Sequence, residues 1–325
     1  MRRLLLVLVC SVSFACRALP AGAPSGPYLV VLGTSQDAGT PQLACRCERC
    51  EGARRDPSRR RLAASGLLVD PRSGRRWLFD ATPDLREQVE LARDHGGPPP
   101  DAGGRPPLFD GIFLTHAHIG HYAGLVHLGR EAYATEATPL YATASMGTFL
   151  KDNGPWSLLF EEDRLRHVPV APGAPVRLAD DLTVTPLAVP HRHEFSDTVA
   201  FVIEGPDRSV LYMPDIDAWA GLEPPIEELV ERVDAALVDG TFFDGEELPG
   251  RDLSTIPHPF VAHTMERFAD HPQAERGKLW FFHLNHSNPV GDPGSAAARR
   301  VRAAGMAVAR EGDVIALSAS ARAIH

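Results

Sequence analysis

The feature that most constrains this chain is a group of three histidines placed directly after an apolar strand. The segment Asp110–Thr115 leads into a turn that carries His116, His118 and His121. Neutral imidazoles are borderline ligands that suit zinc, iron, manganese or nickel. Because residues i and i+2 of a tight turn can converge on one ion, we expect His116 and His118 to share a metal ion. His121 is predicted to open a helix and to face a second ion.

Runs of β-branched and aromatic residues between glycines and prolines predict strands and helices that are mixed along the chain. The predicted strands are Tyr28–Gly33, Gly66–Asp70, Arg76–Ala81, Gly111–Thr115, Pro139–Thr143, Leu182–Val189, Thr198–Glu204, Ser209–Met213, Ala235–Asp239, Lys278–His283 and Val314–Leu317. The predicted helices are Pro83–Asp94, Tyr122–Thr135, Ser145–Asp152, Pro224–Arg232, Val261–Asp270 and Ser295–Ala304, the last with Ser295 as N-cap and Gly305 as C-cap. This mixture predicts a layered α/β architecture.

A second candidate metal site is the loop that contains Cys45, Cys47 and Cys50. Three cysteines this close together cannot form a disulfide framework, whereas their thiolates are good zinc ligands. Structural zinc takes four ligands in a closed tetrahedron, so a fourth ligand must come from elsewhere. His286 is our candidate, because its spacing from His283 allows one histidine to serve each metal from a single strand end.

The histidine segment resembles the metallo-β-lactamase superfamily, whose hallmark is His-x-His-x-Asp-His after a strand. This chain reads His116-Ala117-His118-Ile119-Gly120-His121, so Gly120 replaces the aspartate that ligates the second metal in that superfamily. The resemblance implies an αββα sandwich, two mixed β-sheets flanked by helices, formed by residues 24–325 as one domain. Gly120 leaves the number of active-site ions open at one or two.

The resemblance also implies later ligands at strand ends, and candidates stand in the expected order. The implied active-site ligands are His116, His118 and His191 on the first ion, His121 and His283 on the second, and Asp215 as the bridge. His193 competes with His191 because both follow the same strand, and Asp217 competes with Asp215 for the same reason. We prefer His191 because it stands directly at the strand end.

The cysteine loop and the late His-x-x-His resemble the phosphoribosyl cyclic phosphodiesterase of phosphonate degradation, in which the two histidines serve the active site and a structural zinc. A closer resemblance, from about Tyr28 to Leu317, is to the coenzyme pyrroloquinoline-quinone synthesis protein B group. The matching segments are Val31–Gln42, the cysteine loop, Leu78–Asp84 and His283–Pro289. That synthesis protein acts with iron as a hydroxylase and has a poorer histidine cluster, so the fuller cluster here favours a metallohydrolase relative.

These features predict a hydrolase that acts on a phosphodiester or another small ester or amide. A metal ion lowers the pKa of bound water, and the resulting hydroxide attacks the phosphorus or carbonyl centre. Asp215 is expected to orient the hydroxide, and His193 or His258 to protonate the leaving group. Asp80 and Asp84 are expected to support the site from outside the ligand set.

The predicted cofactors are a structural Zn²⁺ and one or two active-site ions, which can be Zn²⁺, Mn²⁺ or Fe²⁺. Two other functions compete with hydrolysis. One is an iron-dependent oxygenase that resembles the synthesis protein. The other is a non-catalytic metal-binding protein, which the loss of the aspartate at Gly120 favours.

The first residues predict export. Arg2 and Arg3 precede the apolar stretch Leu4–Val9, which is much shorter than the ~20 apolar residues of a transmembrane helix. Residues 1–23 are interpreted as a signal peptide with a cleavage site at Ala21–Ala23, or as a lipoprotein signal processed at Cys16. We therefore expect a periplasmic protein, tethered to the membrane if Cys16 carries a lipid.

The charge balance limits the partners. The formal net charge is −9 and the isoelectric point is about 5.9. Nucleic acids and anionic membrane surfaces require a basic face, so neither is expected as a partner. The expected partner is a small-molecule substrate.

Overall fold

Fourteen strands form the framework of the computed structural model, which describes residues 24–97 and 107–319. The strands are β1 (Tyr28–Gly33), β2 (Ser65–Asp70), β3 (Arg75–Phe79), β4 (Gly111–Phe113), β5 (Thr138–Ala142), β6 (Leu165–Pro169), β7 (Val176–Ala179), β8 (Leu182–Ala188), β9 (Val199–Glu204), β10 (Ser209–Met213), β11 (Ala235–Asp239), β12 (Leu279–Phe282), β13 (Ala307–Val308) and β14 (Val314–Ala316). They pair into two sheets of seven strands, β14-β1-β2-β3-β4-β5-β6 and β13-β12-β11-β10-β9-β8-β7, each with parallel and antiparallel neighbours.

Helices join the strands and cover the sheets. The α-helices are α1 (Glu48–Arg55), α2 (Leu85–Leu91), α3 (Ile119–Tyr122), α4 (Ala144–Asp152), α5 (Ser157–Glu161), α6 (Ile226–Arg232), α7 (Val261–Arg267), α8 (Gln273–Arg276) and α9 (Ala296–Ala303). Short 3₁₀ turns lie at Pro57–Arg59, Ala92–Asp94, Ala123–Leu128, Gly245–Glu247, Leu253–Thr255 and Pro289–Gly291. In the part of the chain that the structure describes, no helix is long and apolar enough to cross a membrane.

Three apolar cores give the molecule its layers. The inner core lies between the sheets and contains a group of contacting rings, Phe79 and Phe113 from the first sheet with Phe201 and Tyr212 from the second. A second core packs α2, α4 and α5 on the outer face of the first sheet. A third packs α6, α7 and α9 on the second sheet. The predicted αββα sandwich is therefore confirmed.

The internal strands are apolar on both faces because each sheet is covered on both sides. In β1 every residue is buried, and β2, β10 and β11 are almost as deeply covered. Continuous apolar runs of this kind are typical of strands inside layered α/β proteins. The runs were therefore predictable as strands: β1, β10 and β11 have the predicted bounds, and β2 begins one residue earlier than predicted.

Three strands and one long helix differ from the sequence-based expectation, and the helices α1, α5 and α8 were not predicted. The strands β6, β7 and β13 were not predicted, since all three are edge strands without a long apolar run. The predicted helix Tyr122–Thr135 is wrong, because α3 ends at Tyr122. There the chain continues as the 3₁₀ segment Ala123–Leu128 instead of an α-helix, and its backbone bonds to the end of β3: Ala81 N–H donates to His121 O, and Gly124 N–H donates to Ala81 O.

The last helix agrees with its predicted caps. The Ser295 hydroxyl accepts a hydrogen bond from the backbone N–H of Ala298 at the start of α9. Gly305, just beyond its end, has φ +81°, a conformation that favours glycine. The proposed signal region, residues 1–23, lies outside the described residues, so its role stays a prediction.

The inner core generates a stability prediction. Phe201→Ala removes a fully buried ring that contacts Phe79 and Phe113, so we expect the free energy of unfolding to fall by about 3–5 kcal/mol. Urea unfolding followed by circular dichroism at fixed metal concentration measures the loss. The control is Phe195→Ala, whose ring is 60% exposed and should change stability by less than about 0.5 kcal/mol. Equal losses in both variants would contradict the proposed core.

Candidate metal centres

The ends of four strands meet at one edge of the sandwich and bring the predicted ligands together. His116 follows β4, His191 follows β8, Asp215 follows β10 and His283 follows β12. Each of these four residues lies in the segment directly after its strand. The sheet therefore fixes the position of each side chain. Ligand sites commonly lie at such carboxyl ends of strands in layered α/β proteins.

The first cluster consists of His116, His118, His191 and Asp215, whose ligand atoms all lie within 4.8 Å of one another. His118 Nδ1 is 2.8 Å from His116 Nε2 and 3.0 Å from His191 Nε2. Asp215 Oδ2 is 3.5 Å from His116 Nε2 and 3.3 Å from His191 Nε2. Ligand atoms around an ion with bonds of about 2.0–2.1 Å lie about 2.8–4.2 Å apart, so these residues fit a metal ion.

The second cluster consists of Asp37, His121 and His283, again with ligand atoms within 4.8 Å of one another. Both histidines are fully buried, and their rings stack with centroids 5.3 Å apart. His121 Nε2 is 3.9 Å from Asp37 Oδ1, and both histidine Nε2 atoms are 3.9 Å from Asp215 Oδ2. Asp215 Oδ2 therefore lies between the two ligand groups, and its role as a bridge stays a prediction.

Each imidazole of both clusters also has a polar partner on its outward nitrogen. The contacts are His116 Nδ1 with Thr115 Oγ1 (3.0 Å), His118 Nε2 with Glu194 Oε2 (3.0 Å), His121 Nδ1 with Asp80 Oδ2 (2.8 Å), His191 Nδ1 with Asp217 Oδ1 (2.7 Å) and His283 Nδ1 with Thr241 Oγ1 (3.0 Å). Such partners fix the orientation of metal-ligating rings and direct the other nitrogen inward.

The structure places the residues of several alternatives that the sequence left open. Asp215 stands among the imidazoles, whereas Asp217 contacts the outward side of His191. Asp80 has the supporting position that was expected, because it contacts His121 from behind. Asp84 does not, since its carboxylate accepts a hydrogen bond from the backbone N–H of Ala63 beside β2.

Two residues at the centre have a strained backbone. Asp80 has φ +62° and His283 has φ +58°, in the left-handed region that favours glycine. A non-glycine residue held there costs on the order of 1–3 kcal/mol and is typical of functional sites. Both residues use the conformation to turn a buried side chain towards the clusters at the end of a strand.

His258 lies beside the clusters and contacts two carboxylates. Its Nδ1 is 2.8 Å from Asp239 Oδ2 and 3.3 Å from Asp215 Oδ1. His193, the other predicted proton donor, is exposed and belongs to none of the clusters found among the described residues. The catalytic role of either histidine stays a prediction, but only His258 is brought to the centre.

Burial and charge set the ionisation states of the centre. Burial lowers the pKa values of His116 and His283, which favours the neutral imidazoles that bind metal ions. Burial also acts on His121 and His258, but nearby carboxylates raise the pKa of each to about 9. Burial opposes ionisation of Asp215, but the surrounding histidines hold its pKa well below the usual range, so it remains a carboxylate.

The cysteine cluster forms as predicted, with His286 as its fourth member. The Sγ atoms of Cys45, Cys47 and Cys50 lie 3.7, 3.8 and 3.5 Å from His286 Nδ1. The corresponding sulfur–nitrogen distance in a tetrahedral zinc site is about 3.6 Å. Burial raises the pKa of the Cys50 thiol to about 12, so a cation is needed to hold all three sulfurs as thiolates. The four residues therefore fit a structural zinc.

A group of contacting aromatic side chains extends from the outer core of the first sheet to the loop after His191. Phe195, in the loop after His191, is exposed and stacks on Phe149 with centroids 5.2 Å apart. Phe149 in turn contacts Tyr122 and lies near Trp156. We call these four side chains the aromatic ledge.

Sequence reasoning missed two carboxylates of the centre, Asp37 and Asp239. Asp239 ends the correctly predicted strand β11, so the same strand-end rule that selected Asp215 applied to it. Asp37 lies in an irregular loop after β1 that lacks periodicity, and no local signal directs its side chain towards His121.

Comparisons with known proteins place this geometry in context. The family described as "Beta-lactamase superfamily domain" matches residues 75–310. A coenzyme PQQ synthesis protein B of Methylorubrum extorquens is 28% identical over 305 residues, which cover 88% of this chain and 98% of the relative. The predicted resemblance to that group is confirmed.

Two solved structures have the same fold. The Zn²⁺-bound PqqB from Methylobacterium extorquens has a TM-score of 0.74 at 24% identity and covers 89% of this chain and 100% of its own. A new diphosphatase from the PhnP family has a TM-score of 0.63 at 20% identity and covers 89% of this chain and 96% of its own. At these identities the two likenesses support the fold.

The cysteine cluster generates a prediction about bound zinc. Cys50→Ser removes a buried member of the tetrahedron, so we expect the purified protein to lose about one zinc ion per chain. Elemental mass spectrometry after gel filtration measures the change. His271→Ala is the control, because that histidine contacts Glu275 and lies in none of the clusters of the described residues. An unchanged zinc content in Cys50→Ser would contradict a zinc site here.

Proposed function

Because this chain belongs to the beta-lactamase superfamily domain family, we propose that it is an exported metal-dependent hydrolase of a phosphodiester or another small ester or amide. The observation that carries the proposal is the position of Asp215. Its Oδ2 atom lies within 3.3–3.9 Å of imidazole nitrogens from two adjacent clusters. Neighbouring ion sites that share a carboxylate are typical of hydrolases that act on phosphate esters.

The first cluster is the stronger of the two ligand groups. His116, His118, His191 and Asp215 would hold one ion, and the outward contacts of the histidines keep their rings in place. A bound ion would supply an activated water and would stabilise negative charge on the substrate. Zn²⁺, Mn²⁺ and Fe²⁺ all accept this set of imidazoles and carboxylate.

His258 is the side chain best placed to move a proton. Asp239 holds its Nδ1 atom at 2.8 Å, which leaves Nε2 as the nitrogen that can face a substrate. The carboxylates of Asp239 and Asp215 raise its pKa to about 9 against the effect of burial, so it carries a proton at neutral pH. A protonated imidazole in this position can donate that proton to a leaving oxygen or nitrogen.

The aromatic ledge offers a binding surface for an apolar part of the substrate. Phe195 presents an exposed ring close to Glu194, which contacts His118 of the first cluster. An apolar or aromatic group attached to the scissile ester would pack on that ring while the ester faces the histidines. The name of a structural neighbour, a diphosphatase of the PhnP family, supports phosphate chemistry.

An iron-dependent oxygenase is the second candidate, and one observation favours it. Asp37, His121 and His283 form a set of two histidines and one carboxylate, which is typical of non-haem iron oxygenases. The similarity to coenzyme PQQ synthesis protein B points in the same direction. Hydrolysis remains the preferred function because the chain also has the first cluster. An oxygenase that binds one iron through two histidines and one carboxylate does not need these three further histidines and Asp215.

The hydrolase proposal predicts that metal content and turnover are lost together. The double variant His116→Ala/His118→Ala should lose about one ion per chain while it keeps the zinc of the cysteine cluster. Its hydrolysis of bis(p-nitrophenyl) phosphate should fall to the uncatalysed background, because the ligands that hold the ion are gone. Elemental mass spectrometry and nitrophenol release measure the two effects.

The control is His263→Ala, an exposed histidine on α7 that should keep both metal and activity. Oxygen uptake by the iron-loaded wild type, without turnover of phosphodiester, ester or amide probes by any metal form, would replace hydrolysis by the oxygenase function. A wild type that holds a single zinc, retained in the double variant, would instead support the non-catalytic protein.

Export rests on residues 1–23 and has its own test. The full chain, expressed in a bacterium, should appear in the periplasmic or membrane fraction, because its basic start and apolar stretch match a signal peptide. Mass spectrometry of the mature protein should find a start after Ala23 or a lipid on Cys16. An uncleaved chain in the cytoplasm would contradict export.

A further inference from the structure

The second cluster has buried, converging ligand atoms like those of a metal site, although Gly120 replaces the aspartate expected there. His121 and His283 are fully buried, and the Nε2 atom of each has no hydrogen-bond partner among the described residues. Asp37 Oδ1 is likewise buried and without such a partner. Leaving three polar atoms unpaired in one place costs on the order of 1–3 kcal/mol each, which a bound cation would offset.

The carboxylate of Asp37 occupies the place that an aspartate at position 120 would need. A Cβ atom built on Gly120 would lie 2.0 Å from Asp37 Oδ1 and 2.6 Å from Asp37 Cα. Real Cβ atoms do not approach other atoms so closely, so residue 120 must be glycine while Asp37 stays where it is. An aspartate side chain at position 120 would therefore need the volume that the side chain of Asp37 occupies.

The loop that carries Asp37 is fixed against the strand end that carries His283. Gln36 N–H donates a hydrogen bond to Leu284 O at 2.9 Å, and Leu284 N–H donates one to Thr34 O at 2.8 Å. The Asn285 side chain donates a further hydrogen bond to Gln36 Oε1 at 2.6 Å. The loop that carries Asp37 is therefore held next to His283 by two backbone hydrogen bonds to Leu284, as a ligand position requires.

We propose that Asp37 is the carboxylate ligand of a second active-site cation, held with His121, His283 and Asp215, and that it replaces the aspartate lost at Gly120. This inference rests on the proposed metal centre and names a ligand for its second ion. The donor set of two imidazoles and two carboxylates suits Zn²⁺, Mn²⁺ or Fe²⁺. The chain then binds three ions, one in the cysteine cluster and two that share Asp215.

Metal titration of variants at position 37 tests the proposal. The protein, freed of metal, is equilibrated at a series of buffered free zinc concentrations, and bound zinc per chain is counted by elemental mass spectrometry. Wild type should reach three ions. Asp37→Asn keeps the shape but removes the charge, so half-saturation of one ion should move to at least about 100-fold higher free zinc. Asp152→Asn, an exposed aspartate at the end of α4, is the control and should match wild type.

Gly120→Ala provides a second variant that leaves the carboxylate in the sequence. The added methyl group displaces Asp37, so the same ion should be weakened while circular dichroism shows an intact fold. The proposal is overturned if both variants bind three ions with the wild-type midpoint, or if wild type never binds more than two. If wild type binds three ions and the variants lose one, but no ester, amide or phosphodiester is hydrolysed, the ligand stands and the proposed function fails.

Discussion

The buried carboxylate of Asp215 is the constraint on which the centre depends. A charge removed from water is tolerated only when other charges or strong dipoles surround it, and here imidazoles from four segments do so. His116, His191 and His283 follow strands of both sheets, and His121 lies in α3 beside them, so the charge can be satisfied only when the two sheets pack in one register. The aromatic inner core and the ionic centre therefore require the same arrangement of the sandwich.

Much of this arrangement is readable from the sequence because buried strands leave a clear signal. Fully apolar runs such as β1, β10 and β11 fall where they were predicted, and the polar residue at a strand's end is a natural ligand candidate. His191 and Asp215 were implied by the family resemblance, and the strand-end position favoured His191 over His193. The edge strands β6 and β7 do not, since a half-exposed strand of mixed polarity has no pattern that distinguishes it from a loop.

The remaining features depend on contacts between distant segments. The helix expected after Tyr122 is replaced because its backbone finds partners at Ala81, about forty positions earlier in the chain. Asp37 enters the centre for a similar reason, since its loop is anchored to Leu284, which lies far away in the sequence. Short-range patterns hold no information about such anchoring, so a motif read along the chain showed a missing ligand where the folded chain has one.

The shared volume at Gly120 and Asp37 has a consequence for how such proteins diverge. An ancestor with an aspartate in the hallmark segment cannot acquire Asp37 in its present position, because the two side chains exclude each other. A lineage that loses the first acid before it gains the second passes through a form with neither. The effect of a substitution at position 120 therefore depends on the residue at position 37, which is epistasis. No single substitution converts one arrangement into the other, so the two arrangements define separate branches of the fold. Relatives with glycine at this position should be compared at the loop after the first strand before they are classed as deficient.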